Sequence, residues 1–237
     1  MTSRRLVKYV VAGQIRDEYI IDTSGKANNG ILGGSLLYTA AAVRQWGGQT
    51  GILGVVGSNF PQDRITALEE KEIDIRGIKI IPETMEMIDF YAYPNEKTCL
   101  RENPVAVYAA SYLQVPKELL SFAFPGKAPQ RENQLIDTSI FMEDIPLDYL
   151  DSSAAHICPL DITSQIQLST LLQKGAIRTL TVQPHHAYMV PDHFDDIAIL
   201  IKDTSAVIVN ETEIRLLFQS RTDDLWEMLK QLCDYGC

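Results

Sequence analysis

The stretch VIVNETEIRLLF, Val207 to Phe218, runs three β-branched residues into Asn210, follows them with acids at 211 and 213, and then starts a helical apolar pattern. Read locally, Asn210 caps a helix and Glu213 completes a capping box three residues on. Read as part of an α/β sheet, the same residues are oxygen ligands presented by a strand end to a metal or a phosphate. A buried strand handing over directly to a helix is in either case the unit from which parallel sheets are built, so the flanking sequence has to decide.

Working upstream, the alternation repeats. SAVIVN is preceded by the helical VPDHFDDIAILIKD, the strand RTLTVQ, the helix DITSQIQLSTLLQKG and the strand AAHICPL. Near the start, LVKYVVAGQI and YIIDT read as strands, GGSLLYTAAAVRQWGG as a helix, QTGILGVVG as a strand and FPQDRITALEEKEI as a helix with Pro61 at its first turn. Strand-helix alternation of this kind predicts an α/β fold: a mostly parallel sheet with helices on both faces.

The middle reads differently. IKIIPETMEMIDFYAY predicts two extended stretches split at Pro82-Glu83, alternating in polarity as a partly exposed antiparallel pair does. From Pro94 to Pro146 the prolines interrupt any long element, which predicts an excursion with short helices. The expectation is one domain over 1–237, with a small antiparallel lid or excursion within about 78–146. Downstream of the Val207 strand, ETEIRLLFQS and TDDLWEMLKQLCDYG read as helices. The last of these should lead to another parallel strand, so the fold is expected to be incomplete at its C-terminal end.

Composition narrows the partners. The 237 residues, 46% of them hydrophobic, suffice for one substantial core, and a net charge of −10 argues against a nucleic-acid partner, which needs a basic face. The four cysteines form no CxxC pair, which argues against a disulfide framework or a zinc site. The first residues make a poor signal peptide and no apolar run is long enough for a membrane span, so a cytoplasmic protein is expected. His185, His186 and His193 lack the companions of a zinc motif and read as loop histidines.

Two glycines, Gly33 and Gly34, open the first helix. They let a ligand approach the backbone, where free N–H groups suit hydroxyls or anions; equally, they serve a tight turn and helix packing. SGKA and PGKA both fail the phosphate-loop spacing, and no GxGxxG follows a strand, which disfavours a nicotinamide cofactor and an oxidoreductase.

In order, GQIRDEYIID, GGSLLYTA, GVVGSNFPQD, the extended middle, the strand leading to Asp161, TVQPHHAYMVPDHF and VNETE closely resemble the PfkB family of carbohydrate and nucleoside kinases, with its ribokinase-like fold. The resemblance covers nearly the whole chain, and VIVNETE and GGSLLYTAAAVRQWGG are its specific parts. It implies an ATP-dependent phosphotransferase acting on a hydroxyl of a sugar or nucleoside. It places Asn210 and Glu213 on the Asn-x-x-Glu positions that organise magnesium and its waters near the ATP phosphates. It carries the substrate acid of the first strand to Glu18, where an aspartate is usual, with Asp17 beside it, and the substrate-facing glycines to Gly33 and Gly34. Tyr38 falls where ribokinases have an asparagine, and Asp161 on a second substrate contact whose alternative is an N-cap. Asp89 to Tyr93 are placed on the lid, whose strands suggest a possible homodimer.

The family's Gly-Ala-Gly-Asp stretch, which supplies the general base and an anion hole, occurs nowhere in the 237 residues. The chain by itself is therefore not expected to be catalytically competent. The alternative expectation is a non-catalytic sugar- or nucleoside-binding protein on the same scaffold.

Overall fold

Along β1, Tyr9–Ala12, successive side chains enter different cores, and this fixes the layering. Val10 and Ala12 pack with Leu168, Leu172, Leu200 and Leu217 on one side of the sheet. Val11 packs with Leu36, Leu37, Ala40 and Leu68 on the other. A strand apolar on both faces must be covered on both, as parallel sheets are.

The computed structural model describes residues 7–123, 139–219 and 221–236. The chain continues through β2 (Arg16–Ile21), β3 (Ala27–Gly33), α1 (Ser35–Gln45), β4 (Thr50–Gly57), α2 (Gln62–Glu70) and β5 (Asp74–Ile81). Next come β6 (Ile88–Asn95), β7 (Thr98–Leu100) and α3 (Pro104–Ala110), then short 3-10 turns up to Tyr149. The last part is β8 (Ala154–Ile157), α4 (Ile162–Gln173), β9 (Thr179–Val182), α5 (Phe194–Ile201), β10 (Ala206–Val207), α6 (Glu211–Leu217) and α7 (Leu225–Asp234).

Six strands form one sheet in the order β10-β9-β8-β1-β4-β5, every neighbouring pair parallel. Helices α1 and α2 cover one face, and α4 to α7 the other. Four strands form a second, mixed sheet in the order β3-β2-β6-β7, with β2 antiparallel to β3 but parallel to β6. One of its faces buries Tyr19, Ile21, Phe90 and Ala92 against Tyr108 of α3 and Leu119. Among the described residues no helix is long and apolar enough to cross a membrane.

Three expectations are corrected. The stretches within 78–93 do not pair with each other: β5 joins the main sheet beside β4, and β6 joins the small sheet beside β2. The small sheet is mixed and takes half its strands from residues 16–33, well before 78; β3 in particular had no strand-like signal, because Asn28, Asn29 and Gly30 favour turns. Finally, the Val207 strand is not buried. It is two residues long at the sheet edge, with Ile208 51% exposed, since nothing described pairs with its outer side. Of the expected excursion, 124–138 lies outside the described residues.

Candidate active site

The carboxyl ends of the parallel strands carry the polar groups, as expected where α/β sheets bind ligands. The start of α1 lies beside the end of β1. Gly34 is its N-cap, with φ of 93°, a conformation only glycine adopts without strain. A Cβ there would lie 2.5 Å from the Gln14 carbonyl oxygen, and one on Gly33 would lie 2.5 Å from Cδ of Glu18. Both glycines are therefore required by close approach, of the Gln14 carbonyl at Gly34 and of the Glu18 carboxyl at Gly33.

Glu18, on β2, is 3% exposed. Its Oε1 accepts from the Gly34 N–H at 2.8 Å, and its Oε2 accepts from the Tyr38 hydroxyl. A carboxylate at the first turn of α1 also meets the positive end of the helix dipole. Burial, with the Glu18 carboxylate beside it, raises the Tyr38 phenol well above its ordinary value. The structure brings Glu18, Gly33, Gly34 and Tyr38 together, with the carboxylate facing the protein's own donors.

Asp17 is separated from this cluster. Alternation along β2 turns it to the other face, where it pairs with Arg64 of α2, whose Nη2 also donates to the Gly30 carbonyl at 3.2 Å. Its place in the structure is as a tie between β2 and α2.

Asp161 follows β8 and caps α4, Oδ1 accepting from the Ser164 N–H at 2.8 Å. Its Oδ2 is buried, with no hydrogen-bond partner among the described residues. The capping role accounts for one oxygen only.

Asn210 and Glu213 form the reciprocal capping box. The Glu213 N–H donates to Asn210 Oδ1 at 2.9 Å, and the Asn210 N–H donates to Glu213 Oε2 at 2.9 Å. Glu213 is nevertheless 8% exposed, at the carboxyl end of β10. Among the described residues no group of three or more His, Cys, Asp and Glu could hold a metal ion. The hard oxygens of Asn210 and Glu213 suit magnesium through its water shell, which needs few protein ligands.

One residue with no sequence signal holds these ends together. Gln165, fully buried in α4, donates to the Cys158 carbonyl at 2.6 Å and to the Gln183 carbonyl at 2.8 Å, and accepts from the Tyr188 hydroxyl. In the sequence it is a mid-helix glutamine with nothing to distinguish it from a surface one. Between the main sheet and the small sheet, Gly13, Gln14, Arg16, Met85, Met87 and Leu160 line a cavity of about 20 Å³, room for a water rather than a sugar.

No family model matches the sequence, and no curated protein matches it. Solved structures do match. An E. coli protein assigned as a ribokinase II, in complex with ATP and Mg2+, is 16% identical with a TM-score of 0.62, covering 97% of this chain and 70% of that one. Fructokinase with bound ATP from Xylella fastidiosa is 15% identical with a TM-score of 0.63, covering 97% and 66%. A nucleoside kinase from Burkholderia thailandensis, in complex with inosine, is 12% identical with a TM-score of 0.59, covering 94% and 66%. The two-sheet architecture and these matches together give the chain the ribokinase-like fold of the PfkB sugar and nucleoside kinases.

Proposed function

We propose that the chain serves ATP- and magnesium-dependent phosphoryl transfer to a hydroxyl of a sugar or nucleoside. The observation that carries the reading is the unpartnered, buried Oδ2 of Asp161 at the carboxyl end of β8, on the same edge of the sheet as Asn210 and Glu213. Such an oxygen suits a substrate hydroxyl donor. Solved proteins of this fold bound to ATP and Mg2+, and to inosine, support it.

In this reading bound ATP supplies the phosphoryl group, and magnesium neutralises charge on its phosphates. Asp161 orients the substrate hydroxyl. Asn210 and Glu213 hold the water shell of the metal while they cap α6. The small sheet acts as the lid that excludes water. A homodimer paired through that lid is part of the same proposal, since β7 is exposed along its length.

The transfer also needs an acceptor for the hydroxyl proton. The second reading is a non-catalytic sugar- or nucleoside-binding protein on the same scaffold. The deciding measurement is ADP release from ATP with magnesium, run with a panel of sugars and nucleosides beside their binding by calorimetry. Substrate-dependent ADP release establishes the transferase. Binding alone establishes the second reading, and neither one rejects both.

A further inference from the structure

Resting on the proposal that this site takes a hydroxyl-bearing ligand, we infer that the ligand is a nucleoside, its planar base held by an aromatic face made of Tyr38, Tyr91 and Tyr93.

The lid sheet has two unlike faces. Phe90 and Ala92 of β6 are buried under α3, and alternation turns Asp89, Tyr91 and Tyr93 the other way. Parallel register sets Glu18 beside Asp89 and Ile20 beside Tyr91, so these residues share the face that carries Glu18. The Tyr38 hydroxyl reaches Glu18 from α1, which brings a third ring to that face. Tyr38 is 56% exposed and Tyr93 36%. Three tyrosines are thus collected where none is required by the core.

The polar groups around them are arranged for a planar, uncharged group. The Arg101 guanidinium lies 5.2 Å from the centre of the Tyr91 ring, and Arg16 Nε lies 3.8 Å from Asp89 Oδ2. Arg16 and Arg101 thus balance Glu18 and Asp89, and a balanced face gives a cationic ligand no advantage. Arginine and carboxylate instead match the acceptor and donor edge of a heteroaromatic base. Arg16 also lines the small cavity beside Gly13 and Gln14.

A simple sugar is held less well. Glu18, the carboxylate expected to receive sugar hydroxyls, has one oxygen on Gly34 and the other on Tyr38, and Asp17 faces away against Arg64. With both committed, hydroxyl recognition at this end is weak, whereas a base gains from exposed ring faces regardless of those carboxylates.

The test is calorimetric titration of the 237-residue protein with inosine, adenosine, D-ribose and D-fructose, repeated with Tyr91→Ala, Tyr93→Ala and Tyr91→Phe. The expected result is nucleoside binding at least about tenfold tighter than ribose, a preference reduced about tenfold by either alanine and retained by Tyr91→Phe. Ribose or fructose binding as tightly as the nucleosides overturns the inference while leaving the proposed function standing. Binding of none of the four overturns both. A nucleoside preference unaffected by both alanine substitutions overturns the aromatic face.

Discussion

The Glu18 carboxylate of the small sheet sits against the first turn of α1, its Oε1 2.8 Å from the backbone nitrogen of Gly34. A buried acceptor that Gly33 makes room for thereby joins the small sheet to α1. The aspartate usual in the family is one methylene shorter. The longer Glu18 engages the helix start itself, so the site differs in chemistry from what the resemblance implies.

Tyr38→Phe should therefore destabilise the protein by about 1–3 kcal/mol although Tyr38 is half exposed, because it leaves Oε2 of a buried carboxylate unpaired. Urea denaturation measures it. A change within a few tenths of a kcal/mol would mean that the Tyr38–Glu18 bond does not persist in solution.

The capping box separates two roles of Glu213. Asn210→Ala should cost about 1 kcal/mol by loss of the N-cap, visible in thermal or urea unfolding. Glu213→Gln keeps an oxygen for the Asn210 N–H, so stability should change little. If Glu213 also serves magnesium, that same substitution should weaken the magnesium dependence of ATP binding about tenfold. Unchanged magnesium dependence in a folded Glu213→Gln protein would leave Glu213 with the cap alone.

His156, on β8, makes a pH-dependent contribution. Burial holds its imidazole below the ordinary value of 6.5, and its Nδ1 lies 2.8 Å from Thr181 Oγ1. The unfolded chain therefore takes up the proton first as pH falls. The contribution is fully present above pH 6.5 and is lost as pH falls from there through the lower folded value, with a slope of at most about 1.4 kcal/mol per pH unit. Unfolding free energies at several pH values below 6.5 should show this slope in the native protein, and His156→Gln should flatten it. The shift on Asp74 acts below its ordinary value of 3.8, outside that window.

Much of the fold was legible because its signals are local. The apolar runs of β1 and β4, the glycine-bounded helix α1, and the capping box at Asn210 each depend on residues a few positions apart. Partners far apart in sequence were not legible. β3 contains Asn28, Asn29 and Gly30 and is a strand only because β2 lies beside it. β5 and β6 look like a hairpin from their polarity, yet each finds its partner in a different sheet. The site divides in the same way. Glycine spacing pointed to Gly33 and Gly34, but only the paired strands of the small sheet show that Glu18 fills the space beside Gly33 and that Asp17 turns to Arg64. Gln165 carried no signal, since burial of a helical glutamine depends on what packs over it.

The sequence by itself determined the α/β class, the strand-helix alternation of the main sheet and the residue types gathered at the carboxyl ends of its strands. These follow from periodicity, caps and turn residues, which act over one or two turns of chain. Tertiary structure decided which strands are neighbours, that Val207 to Asn210 lies on an exposed edge, and which site oxygens are committed to the protein's own donors. Pairing and burial are set by contacts between segments distant in the chain, and no local pattern encodes them.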